Sequence, residues 1–224
     1  HLLVTAPPGE AGDPVLAAHG AALRAARGLR WVGYVSTTGV YGDRGGAWVD
    51  EATEPAPGQD RSRRRLAAEE AWRAAVPGIA LDLMRAGGIY GPGRSAFDDL
   101  RAGTARRVVR PGHAFGRIHR DDIALAACAA IAQDLPAGVR VLHLVDDEPA
   151  ESAAVVEEAA RLLGMDPPPP IPFDQARARM SPMALSFWSE NRRVANSRTK
   201  AALGIAWRYP TYREGLRAIL ATNP

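Results

Sequence analysis

Apolar runs rich in β-branched residues alternate with stretches of helical spacing through the front of this chain, and that alternation limits the fold more than any other feature. "HLLVTA" is the first such run. Asp13 to Arg27 then carries apolar residues at helical spacing behind a Gly-Asp-Pro start. Pro14 suits the first helical turn, because its missing N–H would find no partner there anyway. "LRWVGYVST" is the second run, Arg61 to Ala75 the second helix, and "IALDLMRAGGIYG" a third run ending in glycines. Strands joined through helices run parallel, and a parallel sheet needs cover on both faces. The expected fold class is α/β, a doubly wound parallel sheet. Beyond Gly91 the pattern changes: Ala96 to Gly103 reads as a short helix, "ARRVVR" and "AFGRIH" as short strands, and Asp121 to Ala132 as a helix before the strand "VRVLHLV". From Asp146 onward helices dominate, interrupted by "DPPPPIP" (Asp166 to Pro172), a stiff polyproline connector.

Composition matters mainly for what it excludes. With 46% hydrophobic and 24% charged residues in 224, the chain is ordinary for a globular protein. A net charge of +3 over that length is no nucleic-acid footprint. No apolar run approaches the ~20 residues of a membrane span. One cysteine, Cys128, forms no internal disulfide and suits a reducing compartment, so the expected location is cytoplasmic. The five histidines are scattered without metal-ligand spacing, and no metal site is expected.

In a sheet of this kind ligands gather outside the carboxyl ends of the strands. Three segments put small or hydroxylated residues there: "TAPPG" (Thr5 to Gly9), "STTGVYG" (Ser36 to Gly42) and "RAGGIYGPG" (Arg85 to Gly93). Taken in order with "VDEATEPAP", "RLAAEEAW", "MRAGGIYGPGRS", "GRIHRDDIA", "HLVDDEP" and "YPTYREGLRAIL", they resemble the extended and atypical short-chain dehydrogenase/reductases, specifically the NAD-dependent epimerase/dehydratase family, from Leu2 to Leu220.

The resemblance implies a Rossmann NAD(P)-binding domain over residues 1–145, lacking its N-terminal part and with 92–117 contributing to the substrate side. Residues 146–224 would form a small, mostly helical substrate lobe. It implies NAD or NADP as cofactor, a small-molecule substrate, and a homodimer through the helices Asp13–Arg27 and Arg61–Ala75. Thr37, four residues before Tyr41, becomes the hydroxyl that hydrogen-bonds the reacting oxygen. The nicotinamide side would be lined by Ala6, Pro7 and Pro8 after the first run, Ser36 and Thr37 after the second, Arg65 on the helix, and Ala86, Gly87, Gly88 and Ile89 after the third. Tyr41 and His119 are further candidates for proton transfer, with Tyr90 below them; an Asp, here Asp121 or Asp122, would cap the helix after His119. Phe115 stands where nucleotide-sugar epimerases carry an Arg for the diphosphate, which argues against such a substrate.

Two departures bear on activity. The family's working pair is a Tyr and a Lys four residues apart on one helix face, the ammonium lowering the Tyr pKa. Lys200 is the only lysine here, and no Tyr-x-x-x-Lys occurs. Anchored on "RLAAEEAW", Arg65 takes the lysine position and Arg61 the tyrosine position; a guanidinium with pKa above ~12 can hold a ribose but cannot trade a proton near neutral pH. The run Arg61, Arg63, Arg64, Arg65 reads either as a solvated face with Glu69 paired to Arg65 at i,i+4, or as a site near an anion, since cations at a helix N-terminus oppose the macrodipole. The second departure is at the front, where no G-x-G-x-x-G loop follows the first run and "HLLVTAPP" matches the family's fourth strand. With strand order 3-2-1-4-5-6 that strand would be a bare edge, so the natural protein is expected to carry roughly 60 further residues ahead of it, at ~30 per βαβ unit. Cofactor binding is expected only with that glycine loop present.

Phe173 to Val194 holds Met180, Met183, Phe187 and Trp188 near helical spacing among several arginines. It reads as an amphipathic helix packed on the sheet domain, or as a pocket with an apolar floor and a guanidinium clamp. Three functions stay open: an NAD(P)-dependent oxidoreductase or epimerase/dehydratase-like enzyme, a catalytically silent dinucleotide-binding sensor or interaction protein, and an assembly subunit without cofactor.

Overall fold

The computed structural model describes residues 1–222. Its strands are β1 (Leu2–Val4), β2 (Trp31–Thr37), β3 (Trp48–Val49), β4 (Ala80–Ala86), β5 (Gly88–Tyr90), β6 (Arg107–Val109), β7 (Arg117–His119), β8 (Gly138–Leu144), β9 (Pro170–Pro172) and β10 (Arg193–Val194). Its helices are α1 (Pro14–Ala25), α2 (Asp60–Ala75), α3 (Ala96–Arg101), α4 (Arg120–Ala132), α5 (Ser152–Leu162), α6 (Phe173–Ala176), α7 (Pro182–Trp188), α8 (Ser197–Leu203) and α9 (Tyr212–Thr222), and a 3-10 turn, Thr38–Tyr41, follows β2. Asp13 starts α1, its Oδ1 accepting from the N–H groups of Val15 and Leu16 at 2.9 Å each, with Pro14 in the first turn.

The fold is α/β around a parallel sheet of order β1-β2-β4-β8. Registered rows cross it: Tyr34, Leu83 and Val141; Ser36, Arg85 and His143; and, one residue on, Thr37, Ala86 and Leu144. Because successive side chains point to opposite faces, neighbouring rows belong to different layers. The face of Val32, Tyr34, Leu81 and Leu83 is covered by α1 through Val15 and Leu16, and by α2 and its end through Ala68, Trp72 and Val76. The face of Trp31, Met84, Ala86, Leu142 and Leu144 is covered by α4 through Ala126 and Ala130, and by Leu203 and Trp207 at and beyond the end of α8. A second core joins α3, α5 and α9 through Phe97, Leu100, Ala159, Ala160, Leu216 and Ile219. No helix of the described residues is long and apolar enough to cross a membrane.

Several local expectations need correction. The connector Asp166–Pro172 ends in β9, which pairs parallel with β6, because extended proline backbone can still offer its carbonyls to a neighbour. Phe173 to Val194 is not one helix. Pro182 lacks the N–H that a continuing helix would need and instead occupies the first turn of α7, capped by the Ser181 hydroxyl. The helix after β7 is capped by His119, whose Nδ1 accepts from the Asp121 N–H at 3.2 Å. Asp122 faces inward and accepts from the N–H groups of Arg208 and Tyr209 at 2.7 and 3.1 Å, anchoring the chain before α9.

Candidate functional site

The turn after β2 owes its shape to two hydroxyls on opposite faces. Thr37 Oγ1 accepts from the Gly39 N–H at 3.1 Å and starts the 3-10 turn, with its side chain half-buried at the strand end. A hydroxyl has one proton, and here the backbone has used an acceptor site of the oxygen, so the Thr37 proton stays free to donate outward. Ser36 points the other way. It is buried and donates to Glu69 Oε1 at 2.5 Å.

Glu69 is where the sequence reading fails most clearly. It does not pair with Arg65; it is fully buried and pairs with Arg85, whose Nε and Nη2 donate to its two oxygens at 3.1 and 2.7 Å. Arg85 Nη1 donates to the Tyr41 hydroxyl oxygen at 2.7 Å. Tyr41 lies 2.5 Å from His143 Nε2, and His143 Nδ1 lies 2.6 Å from the Ala195 carbonyl. A carbonyl can only accept, so Nδ1 carries the imidazole proton, and Tyr41 donates to the bare Nε2. Burial lowers the His143 pKa, which keeps this tautomer neutral. The same burial, opposed in part by Arg85, pushes Tyr41 up to about 12. Tyr41 is thus a fully enclosed member of a hydrogen-bonded chain. The signal for this chain was present in the sequence as Arg85 and His143 inside apolar strand runs, in register with Ser36.

Arg65 lies across the same end of the sheet. Its Nη1 donates to the Val35 carbonyl at 2.7 Å and the Tyr34 hydroxyl at 3.2 Å, and its other N–H groups have no partner among the described residues. Arg61 packs its guanidinium over Phe187 of α7, 4.6 Å from the ring centre. Ala86 stands beside Thr37 in register. Gly87 is required by packing: a Cβ there would sit 2.7 Å from the Gly116 carbonyl oxygen. At Gly88 it would meet nothing nearer than 3.6 Å, so this exposed backbone is open to a flat ring. Ile89 packs toward the main core, and Ala6, Pro7 and Pro8 follow β1 at the sheet edge. His119 lies elsewhere, between Tyr90 and Tyr209 with ring centres at 5.2 and 4.3 Å. Burial lowers its pKa, and its Nε2 is buried without a partner.

No protein-family model matches the chain. Among curated proteins it is 34% identical over 147 residues to a 3-diazoavenalumate denitrifying reductase from Streptomyces sp and 33% identical over 137 residues to Protein YeeZ of Escherichia coli strain K12, in each case over 60% of this chain. It spans about half the length of these relatives, 45% and 47%. Among solved structures it superposes on a conserved protein of unknown function from Silicibacter pomeroyi DSS with TM-score 0.91 and 48% identity, covering 99% of this chain and 77% of that one. It also superposes on the human epimerase family protein SDR39U1, determined with NADPH, with TM-score 0.73 and 21% identity over 94% of this chain and 74% of that one. The ordered turns, the parallel sheet and these relatives together make the chain similar to the atypical short-chain dehydrogenase/reductases of the NAD-dependent epimerase/dehydratase type, with YeeZ among the curated proteins it resembles.

Proposed function

We propose that this chain carries the nicotinamide and substrate side of an NAD(P)-dependent oxidoreductase of the epimerase/dehydratase type, acting on a small molecule. The observation that carries the reading is the Thr37 hydroxyl, half-exposed at the carboxyl end of β2 with its proton free to donate. The residues at the strand ends fit the nicotinamide end of a dinucleotide: Gly88 leaves the backbone open, and the unpaired N–H groups of Arg65 suit ribose hydroxyls. No Gly-x-Gly-x-x-Gly loop follows β1 to cradle the pyrophosphate. When bound, the nicotinamide supplies or accepts a hydride at the substrate carbon. Thr37 donates a hydrogen bond to the substrate oxygen and stabilises the charge that develops on it. Arg65 orients and carries no proton in the reaction. Tyr41, enclosed and shifted to about 12, holds the turn rather than trading a proton, so the proton reaches the substrate from water or from the substrate itself.

A second reading, a catalytically silent dinucleotide-binding sensor or interaction protein, is favoured by the arginines at both positions of the Tyr/Lys pair. Titration of NADH and NADPH by calorimetry into a form of the protein that carries a Gly-x-Gly-x-x-Gly loop ahead of β1, followed by turnover with a panel of carbonyl compounds, separates the two. Binding with turnover that drops at least tenfold in Thr37→Ala supports the enzyme; binding with no turnover selects the sensor. Absence of binding sinks both.

A further inference from the structure

Buried polar groups without partners gather around Arg117. Asp146 is 1% exposed, and neither of its carboxyl oxygens has a hydrogen-bond partner. Its backbone N–H donates to the Arg117 carbonyl at 2.5 Å, so the two residues are neighbours. Tyr212, also 1% exposed, has a hydroxyl with no partner. Arg117 donates from Nη1 to the carbonyls of Phe115 and Ala150, both at 2.9 Å, and takes part in no ion pair among the described residues. Native interiors satisfy the large majority of such side-chain groups, and a buried cation without a counter-ion is costly.

Arg117 and Tyr212 line a cavity of about 390 Å³ between α3, α5 and α9, together with Tyr90, Val155 and Leu216. That volume lies in the range of small-molecule sites, which join an apolar wall to a few convergent polar groups. Two acids share the lining, Asp98 and Asp99. Asp98 is turned to the N–H and hydroxyl of Ser95, both at 2.7 Å, and Asp99 to the Thr104 hydroxyl. Neither reaches Arg117. Burial raises the Asp146 pKa to about 8 against the pull of the neighbouring Arg117 charge, and the two form no ion pair.

We propose that this cavity binds a small organic carboxylate, its acid group paired with Arg117 and accepting from the Tyr212 hydroxyl, its apolar body against Val155 and Leu216. A carboxylate supplies the missing counter-ion and an acceptor for the orphaned hydroxyl at once. No residue of the Thr37 turn lines the cavity; apart from Tyr90 its walls come from residues 92–117 and 146–224, so the site gives the substrate side of the proposed function an acid specificity, and a test without nucleotide fails or succeeds separately from dinucleotide binding.

The test is calorimetric or NMR titration of the whole chain, without nucleotide, at neutral pH. Benzoate and cinnamate are compared with the matching amides, which keep the shape and lose the charge. Acids binding at least tenfold more tightly than amides, with Arg117→Gln removing that preference, is the expected result. Val155→Phe, which fills the cavity and leaves Arg117 in place, should abolish acid binding, and it decides the matter if Arg117→Gln does not fold. Equal binding of acid and amide, no binding of either acid at millimolar concentration, or full binding by Val155→Phe overturns the proposal.

Discussion

Two buried polar clusters in this chain are built in opposite ways. At the carboxyl end of the main sheet, Ser36, Glu69, Arg85, Tyr41 and His143 form a chain in which each donor meets an acceptor, ending on the Ala195 carbonyl. Near the cavity between α3, α5 and α9, Arg117, Asp146 and Tyr212 lie close together and leave a carboxyl and a hydroxyl unmatched. A satisfied network rigidifies what surrounds it, whereas orphaned groups beside a cavity ask for something from outside the chain. The first cluster is scaffold for the Thr37 turn; the second has the character of a site.

The satisfied network depends most on Glu69. Glu69→Gln leaves the Arg85 guanidinium buried without its counter-ion and should cost about 3–5 kcal/mol, measured by denaturant unfolding. A loss under about 1 kcal/mol would mean that the network is not the turn's support. Asp146→Asn tests the other cluster and should act in the opposite sense. The folded-state pKa of Asp146, about 8, lies above its ordinary value of 3.8, so the folded chain holds a proton that the unfolded chain has released between those limits. Wild-type stability should therefore fall as pH rises from about 4 to about 8. The neutral asparagine should flatten that slope and exceed wild type by about 1–3 kcal/mol above pH ~8. Thermal melts at pH 5 and pH 8.5 read this directly.

Gly87 and Gly88 lie between the two clusters and sharpen the contrast at a finer scale. Gly87→Ala drives a Cβ against the Gly116 carbonyl and should destabilise by about 1–3 kcal/mol. Gly88→Ala meets only ordinary contacts, so its unfolding midpoint should stay near wild type while any nicotinamide nucleotide affinity falls. The smallest effect on stability is expected at Thr37→Ala, which removes one cap to the Gly39 N–H, worth about 1 kcal/mol; its main consequence should be lost turnover.

Much of the scaffold was legible from period and punctuation alone. The alternation of β-rich and helical runs required a parallel sheet, Asp13-Pro14 marked the start of α1, and the hydroxyl-rich turn marked a strand's carboxyl end. The order of turns alone carries the resemblance to the epimerase/dehydratase group. Local pattern reaches this far because strand and helix periods, caps and turns depend on neighbours within a few residues. Partners distant in sequence are a different matter. Glu69 has Arg65 one helical turn away, and only the packing of α2 on β4 gives it to Arg85 instead. His119 caps α4, where an aspartate was expected, because Asp122 is drawn inward by backbone from residues 208 and 209. Likewise, nothing in "GRIHRDD" or "HLVDDEP" says that Arg117 and Asp146 meet beside a cavity. Charge pairing in a protein interior depends on three-dimensional proximity and desolvation, and these are properties of the folded chain that no short window of sequence contains.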